Sequence, residues 1–92
     1  MTMDEARPYL EEVKDWKVED GKKLKREFKF KDFKEALAFV NKIGETAEEE
    51  SHHPDIELGW GRVAVELSTH AIGGLSVNDF ILAAKIDKLS RP

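Results

Sequence analysis

Two pairs of alternating apolar segments, separated by one long stretch of helical periodicity, constrain this sequence more than any other feature. Asp20-Gly21 lies between the first two segments, and Gly59-Trp60-Gly61 lies between the last two. Asp-Gly is a strong hairpin signal, because both central positions of the favoured turn need positive φ. Two hairpins without a crossover unit predict an antiparallel sheet.

The alternation also assigns residues to strand faces. A first strand is expected to start at Trp16 and Val18. The later strands are expected to turn these residues to one face: Leu24, Arg26, Phe28 and Phe30 in the second; Ile56, Leu58 and Trp60 in the third; Val63, Val65 and Leu67 in the fourth, with Ala64, Glu66, Ser68 and His70 opposite.

The longest helix is predicted between the two hairpins. Asp32 and Glu35 have the spacing of a capping box, and the helix should run to about Glu50. Pro54 should end it before His53, because the residue that precedes a proline avoids the α region. Its buried stripe is predicted to contain Phe33, Ala36, Leu37, Val40, Ile43 and Ala47.

Two shorter helices are predicted at the ends of the chain. The first should begin near Pro8 and end around Val13, since proline is tolerated in an opening turn. Ser76 and Asp79 have capping-box spacing before a last helix of Phe80 to Leu89. The chain is therefore predicted to be one α+β domain over residues 1–92, in the order α-β-β-α-β-β-α, with three helices on one face of a four-stranded antiparallel sheet.

A domain of 92 residues has a thin core. The segment Phe80 to Ala84 is apolar on nearly every side, more than such a core can use. We therefore expect a homodimer or a homotetramer.

Charge and composition exclude several kinds of protein. The net charge is −4, which argues against nucleic acid and anionic membranes as partners. Cysteine is absent, so thiol catalysis and disulfides are excluded. No apolar run approaches the length of a membrane span, and Met1 to Val13 lacks a signal-type apolar core. We expect a cytoplasmic protein.

The candidate chemistry lies in three histidines. His52 and His53 follow the long helix, and His70 is expected at the end of the fourth strand before a glycine turn. Glu48 precedes His52 by one helical turn, so the two can share a face. Histidine exchanges protons near neutral pH, so one interpretation is a shared acid–base site. A zinc or iron site of His52, His70 and a carboxylate is the alternative that spacing leaves open.

The motifs around these histidines resemble those of the pterin-4a-carbinolamine dehydratases. The similar segments are His52-His53-Pro54-Asp55-Ile56, Arg62-Val63, Ser68-Thr69-His70, Gly73-Gly74-Leu75-Ser76 with Asp79, and Phe28 to Phe33 with Ala36, Phe39 and Val40. Trp16 also stands where the family has a tryptophan. The resemblance covers nearly the whole chain.

The resemblance implies dehydration of 4a-hydroxytetrahydropterin to quinonoid dihydropterin, without a metal or an organic cofactor. By the same resemblance, His52 and His70 match the family's acid–base histidines, and His53 matches a substrate-contacting histidine of the catalytic set. The remaining implied substrate-binding positions are Glu48, Pro54, Thr69, Ala71 and Asp79. Ala71 departs from the pattern, because many members have an acidic residue directly after that histidine.

Two other functions stay open from the sequence. The first is a partner module for a regulator or for an aromatic amino acid hydroxylase, since the resemblance includes family members that help transcription factors to dimerise. The second is an enzyme that acts on another pterin, such as molybdopterin.

Overall fold

The computed structural model describes residues 2–91, apart from the side chain of His70. Three helices and four strands follow the predicted order, and a short 3₁₀ helix precedes the last α-helix. Their bounds are α1 (Met3–Leu10), β1 (Lys17–Glu19), β2 (Lys23–Lys29), α2 (Phe33–Glu50), β3 (Asp55–Gly59), β4 (Arg62–Leu67), the 3₁₀ helix (His70–Ile72) and α3 (Val77–Leu89).

The four strands form one antiparallel sheet in the order β1-β2-β4-β3. The first hairpin turns at Asp20 and Gly21, whose φ angles are 53° and 66°, as the Asp-Gly signal predicts. β2 pairs with β4 across Leu24 and Leu67, so the chain returns from the second hairpin to the first. The predicted α+β class is confirmed.

The core lies between the sheet and the helices. β2 alternates as predicted: Leu24 and Phe28 are buried, whereas Lys23, Lys25, Glu27 and Lys29 are exposed. The other apolar side chains of the core cluster come from all three helices, from β4 and from the connecting segments. They are Ala6, Val13, Trp16, Ala36, Phe39, Ile43, Val63, Val65, Leu67, Leu75, Phe80, Leu82, Ala83 and Ile86. Within residues 2–91, no helix is long and apolar enough to cross a membrane.

Two predictions for helices need correction. α1 begins at Met3 rather than near Pro8, because Thr2, as the N-cap, and Glu5, in the first turn, form a reciprocal capping box. In α2, Phe33 and Leu37 are 41% and 42% exposed, whereas Phe39 is buried. The core-facing stripe runs through Ala36 and Ile43. Around the helix axis, Phe33 lies about 60° and Leu37 about 100° from Ala36.

Three strand-end and surface predictions also change. Trp60 lies on the β3–β4 turn, 72% exposed, instead of continuing β3. β4 ends at Leu67, and His70 begins the 3₁₀ helix. In α3, Phe80, Leu82 and Ala83 are buried in the chain's own core. Ile81 is therefore the exposed large apolar residue of the Phe80–Ala84 segment that was expected to form an oligomer contact.

Candidate functional site

The end of α2 brings His52 towards the interior. Ser51 takes the left-handed conformation with φ of 51°, and the backbone N–H of His52 donates to the carbonyl of Ala47 at 3.1 Å. This is the six-to-one hydrogen bond of a Schellman cap. Glu50, the last residue of α2, is paired with Lys85 of α3. The histidine segment is therefore fixed to the helix that supplies its partner.

That partner is Asp79, in the first turn of α3. His52 Nε2 lies 2.5 Å from Asp79 Oδ1, although the two residues are 27 positions apart in the chain. Asp79 is fully buried, and the His52 side chain is 18% exposed. The site thus contains one sheltered carboxylate and one imidazole that remains accessible.

The second oxygen of Asp79 is also occupied. The Thr69 hydroxyl donates to Asp79 Oδ2 at 2.8 Å, and the Ser76 backbone N–H donates to the same oxygen at 2.9 Å. The two hydroxyl oxygens of Thr69 and Ser76 are 2.7 Å apart. A buried carboxylate needs such donors in place of water. The N-terminal turn of α3 adds favourable helix-dipole interaction with the negative charge.

Glu48 does not share a face with His52, and this prediction is wrong. The left-handed Ser51 ends the helix between them, so the one-turn spacing no longer applies. Glu48 instead pairs with His53. Both of these side chains are exposed, so this second pair lies at the rim, whereas the His52–Asp79 pair lies inside.

The remaining predicted residues lie in the two chain segments that contain His52 and Thr69. Thr69 contacts Asp79 directly, and Pro54 joins the histidine pair to the start of β3. Ala71 lies exposed on the 3₁₀ helix. The backbone of His70 begins this 3₁₀ helix directly after Thr69, and the His70 side chain lies outside the described residues.

A cavity of about 190 Å³ opens beside Thr69. Its walls are Lys22 and Lys23 from the first hairpin, Ser68 and Thr69 after β4, and the Gly73-Gly74 turn. In the sheet, the start of β2 lies beside the end of β4, which lies beside the start of β3, the strand that follows the histidine pair. The cavity and the His52–His53 segment therefore lie at the same end of the sheet, where β2 and β3 begin and β4 ends.

A larger cavity of about 490 Å³ lies elsewhere, between the end of β2, the first half of α2 and the end of α3. Its charged lining residues are Lys29, Glu35, Lys42 and Arg91. Neither cavity has a histidine among the described side chains of its lining. The smaller cavity is the better candidate because Thr69 in its wall donates to Asp79, the carboxylate that holds His52.

Sequence reasoning missed the use of Ser76 in the site. Ser76 and Asp79 were expected to cap α3, and the Ser76 N–H does bond to the Asp79 carboxylate, whose other oxygen faces His52. The capping-box spacing was the signal, but it cannot show that the same carboxylate reaches a histidine. Among the side chains that the structure describes, no three of His, Asp and Glu converge as a metal site.

Fold and site together define a class: a small α+β protein that holds an accessible histidine against a buried carboxylate at one end of its sheet. The chain belongs to the pterin 4 alpha carbinolamine dehydratase family, whose sequence model matches residues 1–89.

Individual proteins agree with this assignment. A relative from Alkaliphilus metalliredigens, provisionally named pterin-4-alpha-carbinolamine dehydratase, is 52% identical over 89 residues, which is 96% of this chain and 80% of the relative. A transcriptional coactivator/pterin dehydratase from Brucella melitensis has a similar structure, with a TM-score of 0.92 and 33% identity over 99% of this chain and 98% of the other.

A more distant structure shares the fold. It is a pterin dehydratase-like protein described as a RuBisCO assembly factor in the alpha-carboxysome, with a TM-score of 0.71 and 23% identity over 83% of this chain and 89% of the other. At that identity the likeness concerns the fold alone.

Proposed function

We propose that this protein dehydrates 4a-hydroxytetrahydropterin to quinonoid dihydropterin, with histidines as the proton carriers. The observation that carries the proposal is the His52–Asp79 pair, an accessible imidazole held on a buried carboxylate within the family's own motif. The names of the relatives support the activity, and the geometry supports the role of His52.

The reaction needs two proton transfers. The hydroxyl at C4a leaves as water after it receives a proton, and the ring loses a nitrogen-bound proton to form the quinonoid product. His52 and His70 are proposed to perform these transfers from two sides of the flat heterocycle. The cavity beside Thr69 is the proposed entry for the pterin, since this cavity lies at the same end of the sheet as the segment that contains His52.

Asp79 and the rim residues have supporting roles in this proposal. Asp79 fixes the orientation of the His52 ring, as a buried carboxylate does for a catalytic histidine. His53, held by Glu48, is exposed and is proposed to contact the substrate. Pro54 and Ala71 lie in the two segments that flank the histidines, so they are proposed to contact the ring.

The test is stopped-flow absorbance of freshly generated carbinolamine with purified variants. His52→Ala and His70→Ala should each slow dehydration by roughly 10²- to 10⁴-fold. The double variant should lose less than the sum of the two free-energy losses, because both groups serve one event. His53→Ala should act mainly on KM. Circular dichroism first confirms that each variant folds, and full activity in both single alanine variants would refute the assignment.

A second candidate function is that of a partner module for a regulator or a hydroxylase. It is favoured by the solved relative named as a coactivator as well as a dehydratase, and by the exposed apolar side chains of Phe33 and Leu37 on α2. Co-purification with such a partner, lost in Phe33→Ser/Leu37→Ser but kept in His52→Ala, would support this function.

Another pterin, such as molybdopterin, remains the alternative substrate, and turnover of each compound by the wild type compares them directly.

We also propose that the chain forms a homodimer or a homotetramer. The support now comes from α2 rather than α3, because Phe33 and Leu37 are exposed whereas most of the apolar segment of α3 is buried. Light scattering at micromolar concentration should show a mass above 10.5 kDa.

A further inference from the structure

We infer that Thr69 and Ser76 are positioning residues that act through Asp79 and hold His52 as the tautomer protonated at Nε2. The nitrogen that exchanges a proton with the substrate is then Nδ1. The inference rests on the proposed function in taking His52 as a proton carrier. It adds which nitrogen works and which residues decide it.

The first step concerns the direction of the hydrogen bonds around Asp79. An ionised carboxylate only accepts, so each of its contacts must supply a proton. The single hydroxyl proton of Thr69 therefore points to Asp79 Oδ2. Since that proton is used, the contact of 2.7 Å between the two hydroxyl oxygens must be a donation from Ser76 to Thr69. The Ser76 backbone N–H also donates to Oδ2.

The second step concerns the His52 ring. Oδ1 of Asp79 faces Nε2 at 2.5 Å, and imidazole is a stronger base than carboxylate, so the proton between them belongs to Nε2. Asp79 is fully buried, so water does not compete for this oxygen. In the neutral ring Nδ1 then carries the lone pair, and no described residue is hydrogen-bonded to it. A partner that fixes one ring nitrogen in this way decides the tautomer.

The same network predicts the result of replacing Asp79 by asparagine. The Thr69 hydroxyl and the Ser76 N–H both need an acceptor at the Oδ2 position, so the amide oxygen must lie there. The amide NH₂ group is then directed at His52 and can only donate. Nε2 must become the acceptor, and the proton moves to Nδ1. Asp79→Asn should therefore invert the tautomer of His52.

The experiment measures the ¹⁵N chemical shifts of the His52 ring by two-dimensional NMR, without substrate, at a pH where the ring is neutral. The wild type should show protonated Nε2, and Asp79→Asn should show protonated Nδ1. The variant's kcat should be reduced by roughly 10²- to 10⁴-fold, because its His52 ring would present the wrong tautomer to the substrate. Asp87→Asn is the matched control, because Asp87 is a second buried carboxylate of α3 that bonds to Trp16 and Arg26 instead.

Thr69 is tested separately. Thr69→Val keeps the shape but removes the donor, so the Nε2–H signal should give way to a tautomer mixture and kcat should fall by about 10-fold. Thr69→Ser restores a hydroxyl and should restore both readouts. Ser76→Ala, which removes the donor to the Thr69 oxygen, should shift the signal in the same direction by less. Thr46→Val, in α2 and outside the network, should change neither readout.

An unchanged Nε2–H signal in folded Asp79→Asn would overturn the inference, as would a Thr69→Val spectrum identical to that of Thr46→Val. Failure of the proposed function gives a different result. In that case the wild type does not dehydrate the carbinolamine, while the tautomer still inverts in Asp79→Asn.

Discussion

Near the C-terminal end of α3, a second buried carboxylate, Asp87, links this helix to Arg26 of β2 and to Trp16. One oxygen of Asp87 accepts from Trp16 Nε1 at 2.8 Å and from Arg26 at 2.7 Å. Asp87→Ala would leave the buried indole N–H without a partner and the Arg26 charge with only the exposed Asp15, 3.6 Å away. Breaking hydrogen bonds to a buried charge costs about 1.5–3 kcal/mol each, and breaking a buried ion pair about 3–5 kcal/mol. Because Arg26 is partly exposed, we expect a loss of about 3 kcal/mol.

Urea denaturation followed by far-UV circular dichroism measures this loss, and the slope of the transition should not change. In a domain of this size, about 3 kcal/mol corresponds to a fall in Tm of roughly 12–24 °C. Asp15→Ala is the matched control, since it removes the solvent-exposed partner of the same arginine and should cost under about 0.5 kcal/mol. A loss below about 1 kcal/mol for Asp87→Ala, or one no larger than that of Asp15→Ala, would refute the stabilising role assigned to Asp87.

Two further predictions concern the sheet. A Cβ at Gly61 would lie 2.5 Å from the Phe30 carbonyl oxygen, so Gly61→Ala should lower the free energy of unfolding by about 1–3 kcal/mol. Gly44→Ala is the control in α2, where a Cβ meets open space, and it should raise the free energy of unfolding by up to about 1 kcal/mol. Equal effects of the two substitutions in urea titrations would contradict this prediction. Hydrogen bonds from Lys29 and Arg62 lower the pKa of Glu27 from 4.5 to about 2. A carboxylate with a lowered pKa in the fold stabilises it above the unfolded pKa and loses that contribution as pH falls from about 4.5 to 2, so Glu27→Gln should make urea midpoints less pH-dependent in that range.

Local patterns in the sequence were sufficient for much of the fold. The positive φ angles of Asp20 and Gly21, the alternation in β2 and the extent of α2 were all predicted, because each depends on neighbours within a few positions. The errors lie where local signals compete. Thr2 with Glu5 determined the start of α1 rather than Pro8, and Phe33 and Leu37 fit the helical period but lie outside the contact with the sheet.

For the candidate site, the sequence identified the residues but not their partners. His52, Thr69 and Asp79 were all expected in the site through the resemblance, and the structure brings these three into contact. The pairing of His52 with Glu48 was wrong, because helical spacing cannot show that a left-handed residue intervenes at Ser51.

The sequence by itself determined the two hairpins, the helical periods and the residue types able to exchange protons, since these follow from backbone preferences and intrinsic side-chain chemistry. Only the tertiary structure decided that β2 pairs with β4, that His52 meets Asp79 from 27 positions away, and that Asp87 meets Trp16 from 71 positions away. Such contacts depend on how the helices pack on the sheet, because burying the apolar faces brings distant polar groups together and removes the water that would otherwise bind them.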